Sequence, residues 1–312
     1  MKAIRISDGK PELIDMPKPE NDDVLVRVAA SSICGSDLHL INLGWAEGTV
    51  MGHEFAGYTT DGKAVAVEPV VACNQCDYCD EGRYPLCLNG ATYLGINHQG
   101  GMAEYVSVPA HLVYELPSGL DINSACLVEP LAVAVHGLNQ ARVTPSDRLL
   151  ILGAGAIGLA TAAVLQARGM AFDIKARHPG QQTVAAGLGG NIDIADGYDV
   201  VIDAVGSSQS VAEAIAHVRP RGRIGMVGSF WQPVEVDIGF CAKEIEMIAA
   251  AGYKCKSPGR TFEEAATLLH ANPHIADALI SHRFPLDGAE EAFDTAADRA
   301  SGAIKVCFDI AS

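Results

Sequence analysis

The sequence has no long hydrophobic run: nowhere do 18 or more apolar residues follow one another, which is the length a membrane-spanning helix needs. Its first residues, MKAIRISDGKPELIDMP, carry scattered charges and no apolar signal segment. These two absences argue against a membrane-spanning protein and predict a cytoplasmic location. Thiols stay reduced in the cytoplasm, so clustered cysteines there are more often metal ligands than disulfides.

Basic residues are also scarce. The 312 residues include 22 Lys and Arg against 38 Asp and Glu, which gives a formal net charge of −16 at pH 7. This charge repels nucleic acid and anionic lipid, and no local cluster of Lys and Arg offsets it. We therefore expect an acidic, soluble surface with no nucleic-acid or membrane partner.

Length and residue pattern indicate two domains of different architecture. A chain of 312 residues is too long for one ordinary core, and its 49% hydrophobic residues and 32 glycines suit an α/β protein. Residues 1–70 read as short strands and turns, with β-rich runs at 24–30 and 64–67. From Arg148 onwards the chain alternates apolar strands with helices, which predicts a doubly wound parallel sheet.

Individual elements follow from the same patterns. Residues 71–100 show little periodicity and are predicted to be loop, whereas residues 124–140 read as helical. The predicted strands of the alternating part are 149–152, 171–176, 200–203 and 223–227, with helices at 157–168 and 210–217. A helix at 261–270 and a closing strand at 304–308 follow near the end of the chain.

A glycine-rich turn, GAGAIG at residues 153–158, follows an apolar strand and opens a helix. The G-x-G-x-x-G pattern alone is a weak signal, but in this position each glycine has a physical task. The three allow a tight turn, close approach of the backbone to a pyrophosphate, and packing of the helix on the sheet. The free N–H groups and the dipole of the helix N-terminus then favour the phosphates, so we predict a dinucleotide site.

The end of the second strand indicates which nicotinamide cofactor is used. An NAD site usually has an Asp or Glu there, about 20 residues after the glycine turn, to bind the ribose hydroxyls. Here the strand runs into KARHP (175–179), and Asp173, the only acid nearby, comes too early. Ala176 stands where the acid is expected, followed by Arg177 and His178. A cation without a carboxylate suits a 2′-phosphate, so we predict a preference for NADP.

Four of the nine cysteines, Cys73, Cys76, Cys79 and Cys87, have the spacing C-x2-C-x2-C-x7-C. Four thiolates in one short loop can surround a single Zn²⁺ tetrahedrally and leave no open position, which is a structural site. A bacterial ferredoxin would need three residues before its fourth cysteine. A redox C-x-x-C pair would not need the two further cysteines. Structural zinc is therefore the prediction.

Several other short motifs are weak individually and specific in combination. They are CGSDLH at 34–39, GHE at 52–54, VEP before the cysteines, GGMAEY at 100–105, EPLAVAVHG at 129–137, the glycine turn and the closing IKV at 304–306. In this order, and together with the spaced cysteines, they run essentially from end to end of the chain. The chain thus resembles the zinc-dependent medium-chain dehydrogenase/reductase family, which includes alcohol and polyol dehydrogenases.

The resemblance implies two zinc ions per chain, one structural and one catalytic. Cys34, His53 and a carboxylate would bind the catalytic ion. The late ligand is a cysteine in the alcohol-dehydrogenase branch, whereas the matching residue here is Glu129, as in the polyol and sugar branch. Glu54 is a further candidate, either as a direct ligand or in exchange with water. A catalytic zinc with an open position would polarise the substrate oxygen.

The family also implies roles for residues around the metal and the cofactor. Ser36 would hydrogen-bond the substrate oxygen, and His39 would relay the proton to solvent; with Glu54 they are the catalytic candidates. Asp37 would orient a metal ligand. The cofactor-binding candidates are Gly153, Gly155, Ala156, Ile157, Gly158, Arg177, His178, Ala204, Val205 and Gly206.

The implied architecture is a Rossmann domain inserted in a discontinuous, mainly β (GroES-like) catalytic domain. The catalytic domain would comprise residues 1–130 and 254–312, and the cofactor-binding domain residues 131–253. A homodimer or homotetramer is expected. The chain departs from the family in being short between Glu54 and Val65 and again between Gly190 and Val200. Neither shortening removes an expected ligand, although both could reshape the substrate site or an oligomer edge.

The leading hypothesis is thus an NADP-linked, zinc-dependent dehydrogenase of an alcohol, polyol or sugar. One alternative is a reductase of a larger apolar ketone or aldehyde, which Phe230 and Trp231, expected beside the nicotinamide, favour. The other is a zinc-stabilised NADPH-binding sensor without catalysis, which would not need Cys34, His53 and Glu129 together.

Overall fold

The computed structural model describes residues 1–20, 23–298 and 300–310. The chain divides into two compact units, one formed by Met1–Glu129 with Lys254–Ser312 and the other by Pro130–Tyr253. Within the described residues, no helix combines the length and the apolar character that crossing a bilayer requires.

Strands and helices are numbered along the chain. The strands are β1 (Lys2–Ser7), β2 (Lys10–Asp15), β3 (Val24–Ile33), β4 (Glu54–Thr59), β5 (Ala64–Val67), β6 (Val70–Val71), β7 (Thr92–Tyr93), β8 (Tyr105–Val108), β9 (Val113–Glu115), β10 (Leu149–Leu152), β11 (Asp173–Lys175), β12 (Tyr198–Asp203), β13 (Val218–Met226), β14 (Glu246–Ala249), β15 (Ile280–Phe284) and β16 (Lys305–Asp309). The α-helices are α1 (Gly35–Asn42), α2 (Asp77–Asp80), α3 (Val128–Gln140), α4 (Ala156–Ala167), α5 (Pro179–Gly187), α6 (Ser208–His217), α7 (Ile238–Ala242), α8 (Thr261–Ala271), α9 (His274–Leu279) and α10 (Ala289–Ala297). Short 3-10 turns occupy Tyr84–Leu86, Ala110–Leu112, Ile122–Leu127 and Leu286–Gly288.

The first unit is built on a mainly antiparallel sheet with the strand order β15-β16-β3-β4-β5-β9, in which β8 also pairs with β3. Its central strand β3 exposes only Arg27, because sheet neighbours and core side chains cover the other residues. Val26 and Val28 of this strand pack with Phe55 and Val65 in one hydrophobic cluster. This packing holds the ends of β3 and β4 in a fixed register.

A cysteine lobe, defined here as residues 72–91, projects from this unit. Its base is the short antiparallel pair β6–β7, in which Val70 lies opposite Tyr93 and Val71 opposite Thr92. Inside the lobe, α2 and the 3-10 turn Tyr84–Leu86 interrupt what the sequence predicted as plain loop. Elements of two to four residues are too short to show a periodic pattern, which is why the sequence did not reveal them.

The second unit contains the predicted doubly wound sheet. All its strands are parallel, in the order β11-β10-β12-β13-β14. The fold class is therefore confirmed, and the predicted strands and helices of this part lie within a few residues of the observed ones. The order reverses between β10 and β12, and the carboxyl ends of strands beside such a switch point are where α/β sheets bind ligands.

The shortening noted after Gly190 leaves β11 at the edge of this sheet. In place of a full further strand, Asn191 makes a single bridge with Asp173, and its backbone bonds to Phe172 and Ile174. The Asn191 amide also donates to Asp173 Oδ1 at 3.0 Å. Asp173 Oδ2 accepts a hydrogen bond from the hydroxyl of Tyr198, a residue that is 1% exposed. A few side-chain bonds thus protect the edge that a longer sheet would cover.

We predict that Tyr198→Phe destabilises the protein by about 1.5–3 kcal/mol, the usual contribution of a hydrogen bond to a charged group. The Tyr198 hydroxyl donates to Asp173 and accepts from the backbone N–H of Ala195 at 2.7 Å, and both bonds would be lost. Urea denaturation measures the loss. Tyr58→Phe is the control, since Tyr58 is only half-buried. A loss no larger than that of the control would contradict the prediction.

Candidate active site

The structure brings the four cysteines of the lobe together: one Sγ from each of Cys73, Cys76, Cys79 and Cys87 lies within 4.8 Å of the others. Hydrogen bonding and burial act differently on these thiols. The backbone N–H of Gln75 lowers the pKa of Cys73 to about 6, whereas burial raises the pKa of Cys79 to about 12. Four convergent sulfur donors fit a tetrahedral zinc, whose charge would favour the thiolate form of all four.

A second group of possible ligands consists of Cys34, His53 and Glu54, whose ligand atoms all lie within 4.8 Å of one another. Strand pairing brings them together. Cys34 follows the last residue of β3, Glu54 opens β4, and the antiparallel register places Ser32 opposite Glu54. Cys34 therefore meets His53 and Glu54 at the end of the β3–β4 pair. Thiolate, imidazole and carboxylate are all zinc ligands.

His53 is held in one orientation by a buried carboxylate. Its Nδ1 lies 3.2 Å from Asp37 Oδ1, and Asp37 Oδ2 accepts from the backbone N–H of Cys34 at 2.9 Å. Burial lowers the pKa of His53, but the charge and hydrogen bond of Asp37 and the contact with Cys34 together outweigh it and raise the pKa well above its ordinary value. The other ring nitrogen, Nε2, lies 3.4 Å from Ser36 Oγ. With Nδ1 turned to Asp37, Nε2 is the nitrogen that can bind a metal.

Glu54 has a strong competing partner. Lys305 Nζ donates to both of its carboxylate oxygens, at 2.8 and 2.7 Å, and Ser32 Oγ donates to the second oxygen. Both members of the ion pair are buried, with Lys305 2% and Glu54 0% exposed. Burial lowers the pKa of Lys305, but the charge and hydrogen bond of Glu54 and the charges of nearby cysteines together outweigh it, so the net shift of the pKa is upward. A carboxylate bound in this way is better placed to balance charge beside the metal than to bind it directly.

The remaining candidates of this unit are Glu129, Ser36 and His39. Glu129 is buried in the first turn of α3 and is not part of the set formed by Cys34, His53 and Glu54. Ser36 and His39 are three residues apart on α1, so they share one side of the helix. Ser36 is half-buried and His39 is exposed.

The glycine turn in the second unit has the predicted geometry. Gly153 follows β10 with φ +92°, and Gly155 is the N-cap of α4. A Cβ at Gly158 would lie 1.8 Å from the carbonyl oxygen of Gly153, so only glycine allows the helix to start this close to the turn. A Cβ at Gly155 would meet nothing within 4 Å, which leaves open space over the start of α4, where Ala156 and Ile157 lie. The turn fits a pyrophosphate.

The stretch after β12 is held by a residue that the sequence reasoning overlooked. Asp203, the last residue of β12, is fully buried and accepts from the backbone N–H groups of Val205 at 2.8 Å and Gly206 at 3.1 Å. Ser210 Oγ donates to its other oxygen at 2.8 Å. The sequence feature that could have identified Asp203 is an acidic residue at the end of an apolar strand. Asp203 fixes the loop containing Ala204 against the glycine turn of the same unit.

The end of β11 carries no available carboxylate. Asp173 is engaged by Tyr198 and Asn191, as described above, and Lys175 pairs with Glu213 of α6 at 2.9 Å. Ala176 follows the strand. Arg177 is exposed, and His178 is the N-cap of α5.

Comparison with known proteins decides the family. Residues 20–118 match the family description "Alcohol dehydrogenase GroES-like domain", and residues 122–310 match "Glucose dehydrogenase C-terminus". The chain belongs to the zinc-type medium-chain dehydrogenase/reductase family. The predicted family and the GroES-like and Rossmann folds are confirmed, and the chain is an oxidoreductase of the alcohol and polyol dehydrogenase type.

Individual relatives cover nearly the whole chain. It is 30% identical to the probable D-xylulose reductase A of Arthroderma otae, over 90% of this chain and 89% of the relative. Galactitol-1-phosphate dehydrogenase from Escherichia coli has a similar structure, with a TM-score of 0.90, 26% identity and coverage of 99% and 100%. So has a putative zinc-binding dehydrogenase from Sinorhizobium meliloti bound to NADP, with a TM-score of 0.84, 27% identity and coverage of 99% and 98%.

We predict that Asp37→Asn weakens metal binding at Cys34 and His53 by about 10–100-fold, because the outer partner of a ligating histidine fixes its tautomer and orientation. Isothermal titration of metal-depleted protein with Zn²⁺ measures the affinity. Asp61→Asn, on an exposed turn of the same unit, is the control. Equal affinities of the Asp37 variant and the control would show that Asp37 does not position His53.

The same pair predicts a pH dependence in the metal-free protein. The pKa of His53 is higher in the folded than in the unfolded chain, so the pair contributes its full stabilisation below about pH 6.5. This contribution is lost as the pH rises through the folded-state pKa. Asp37→Asn should flatten this part of the curve of unfolding free energy against pH. An unchanged slope in urea denaturation would contradict the assignment.

Proposed function

We propose that this enzyme is a zinc-dependent dehydrogenase that prefers NADP and interconverts an alcohol, polyol or sugar with its aldehyde or ketone. The observation that carries the proposal is the convergence of Cys34 and His53, with His53 oriented by the buried Asp37. The match of the chain to polyol dehydrogenases supports the substrate class. We further propose a cytoplasmic homodimer or homotetramer.

The proposed catalytic metal is held by Cys34 Sγ, His53 Nε2 and the carboxylate of Glu129. Zinc bound there would polarise the substrate oxygen and lower the pKa of an alcohol, while NADP would exchange hydride with the substrate carbon. Because Lys305 neutralises Glu54, this carboxylate adds no surplus negative charge beside Cys34. Direct binding by Glu54 would first require breaking its bonds to Lys305.

Proton transfer is assigned to α1. The Ser36 hydroxyl lies 3.4 Å from His53 Nε2, so it is next to the nitrogen that would hold the metal. We propose that Ser36 accepts the proton of the alcohol while giving up its own hydroxyl proton, and that His39, exposed one turn further along the helix, carries the released proton to solvent. In the reductive direction the same groups return the proton.

The preference for NADP rests on the end of β11. Asp173 cannot serve the ribose hydroxyls while it is bonded to Tyr198 and Asn191, and the exposed Arg177 offers a cation for a 2′-phosphate. His178, at the N-cap of α5, adds a second group that can donate to the phosphate. The similar Sinorhizobium dehydrogenase was solved with NADP, which supports the same choice.

A second candidate function is reduction of a larger apolar ketone or aldehyde. Phe230, after β13, is 45% exposed, so an apolar side chain is available for a bulky substrate. Relative kcat/KM values for a polyol panel and for aryl and long-chain ketones distinguish the two functions.

We predict that Arg177→Ala lowers kcat/KM for NADP by at least about tenfold and leaves that for NAD nearly unchanged, because one charge-assisted bond to phosphate is lost. Steady-state kinetics with both cofactors on the same substrate measures the change. Arg168→Ala, in the same unit at the far end of α4, is the control. An unmodified enzyme that prefers NAD would overturn the cofactor proposal.

We predict that Cys34→Ser abolishes turnover and removes one of two zinc ions per chain, because the serine hydroxyl is a poor zinc ligand at neutral pH. Metal analysis and an absorbance assay of nicotinamide reduction measure both effects. Cys241→Ser, an exposed cysteine of the second unit, is the control and should keep both ions and full activity. Full turnover of the Cys34 variant would overturn the proposed function.

A further inference from the structure

A short loop is closed on itself where the chain returns to the first unit. Lys254 opens it, and Thr261, the first residue of α8, ends it. The backbone N–H of Thr261 donates to the carbonyl of Lys254 at 3.0 Å, and Lys254 Nζ donates to the carbonyl of Pro258 at 2.7 Å. These bonds join the ends of residues 254–261, called the return loop below, and give it a shape of its own.

One side of the return loop contacts the middle of the cysteine lobe. The backbone N–H of Cys255 donates to the carbonyl of Gly82 at 2.7 Å, and Gly82 lies between the ligand cysteines Cys79 and Cys87 in the chain. The fit is close, since a Cβ at Gly82 would come within 2.8 Å of the backbone nitrogen of Lys256. Only a glycine at position 82 therefore allows the lobe to approach the return loop this closely.

The Lys256 side chain adds an electrostatic contact on the same side. Its Nζ lies 3.8 Å from Asp80 and 6.0 Å from the centre of the Tyr84 ring. Both partners belong to the lobe, and Tyr84 is buried.

The other end of the return loop contacts the chain just before the base of the lobe. Arg260 Nε donates to Glu68 Oε1 at 2.9 Å across 192 residues of sequence, and its guanidinium lies over the Tyr114 ring at 5.2 Å. Glu68 is fully buried. Only Pro69 separates it from β6, one of the two strands that form the base. The return loop thus contacts the lobe between its ligand cysteines and also contacts Glu68, just before the base of the lobe.

We propose that the return loop is a clamp that keeps the four lobe cysteines in metal-binding geometry, with Arg260 and Glu68 as its positioning residues. The inference rests on the proposed four-cysteine metal site and is independent of substrate and cofactor. The lobe's own secondary structure consists of α2, a 3-10 turn and a two-residue base, and outside the return loop Asn74 and Tyr84 contact His111. Its thiols can separate when it opens, and contacts at two points oppose that opening. Loss of one contact should therefore speed metal release.

The test measures how fast zinc leaves the lobe. All variants are made in the full-length protein carrying Cys34→Ser. This substitution removes the zinc proposed at Cys34 and His53, so the zinc that is measured comes from the lobe. A chromogenic chelator in excess, 4-(2-pyridylazo)resorcinol, reports release over time. Arg260→Met and Glu68→Gln should each release zinc about tenfold faster than the background, the scale of effect known for outer partners of metal ligands. The double variant should be no faster than the faster single variant, because both remove the same contact.

Two further variants make the test specific. Arg283→Met removes an ion pair of the same unit, with Asp309 at 2.6 Å, that does not involve the lobe, and it should release zinc at the background rate. Lys256→Met keeps the aliphatic stem but removes the contact with Asp80, and it should speed release through the other end of the clamp. Lys256 is partly exposed, so this variant is expected to fold even if the buried variants do not.

The release rates of these variants distinguish a clamp from general destabilisation. Faster release in Lys256→Met and in the folded variants of Arg260 and Glu68, with Arg283→Met unchanged, supports the clamp. Background release rates in folded Glu68→Gln and Lys256→Met overturn it. Equal acceleration by Arg283→Met also overturns it, because the effect would then be general destabilisation. If the Cys34→Ser background protein holds no zinc, and adding Cys76→Ser does not change its metal content, the four-cysteine metal site is refuted and the clamp with it. The proposed dehydrogenase activity is tested separately, in the protein that keeps Cys34.

Discussion

The antiparallel pairing of β3 with β4 is the constraint on which the candidate metal centre depends. Its register places Ser32 opposite Glu54, and the ligand atoms of Cys34 and His53, which lie just beyond these two residues in the chain, come within 4.8 Å of each other at the end of the pair. Strand β16 pairs with the other side of β3, with Val306 opposite Ile33, and this brings Lys305 to the same point. A slip of one residue in either pairing would turn these side chains to the opposite face of the sheet.

Charge balance among Glu54, Lys305, Asp37 and His53 then decides which side chains at the end of β3 and β4 can bind a metal. The buried Glu54 and Lys305 neutralise each other, and Asp37 is paired with the ring of His53. Removing one partner of such a buried pair usually costs about 3–5 kcal/mol, because the other charge is left without compensation. The cluster of these residues therefore leaves Cys34 Sγ and His53 Nε2, which lies near Ser36 Oγ, as its candidate metal donors.

The second unit retains the glycine turn and the Asp203 loop although its sheet is short at one edge. The carboxyl ends of β10 and β12 carry the glycine turn and the Asp203 loop, and neither is touched by the missing strand. The edge strand β11 is protected by Asn191 and by the hydrogen bond between Tyr198 and Asp173. The same bonds occupy the acid closest to the ribose position. Protection of the edge and the proposed preference for NADP thus involve the same aspartate.

Local spacing in the sequence was sufficient for the features that depend on neighbouring residues. The four-cysteine spacing, the glycine turn and the alternation of apolar strands with helices each lie within a few tens of residues, where backbone geometry alone decides what the side chains can do. The central strands of the parallel sheet could be located for the same reason. Elements of two to four residues in the lobe could not, since they are shorter than any period.

Contacts between distant parts of the chain were decided only by the tertiary structure. The sequence could not show that Lys305 would bind Glu54 across 251 residues, or that Arg260 would meet Glu68 across 192. Nor could it show that Asp173 would be engaged at a sheet edge. Each of these contacts depends on strand register and on how helices cover the sheet, which the free energy of the whole packed core determines. The sequence by itself thus established which chemical groups are present and the likeness to a family, whereas the fold decided which charges meet.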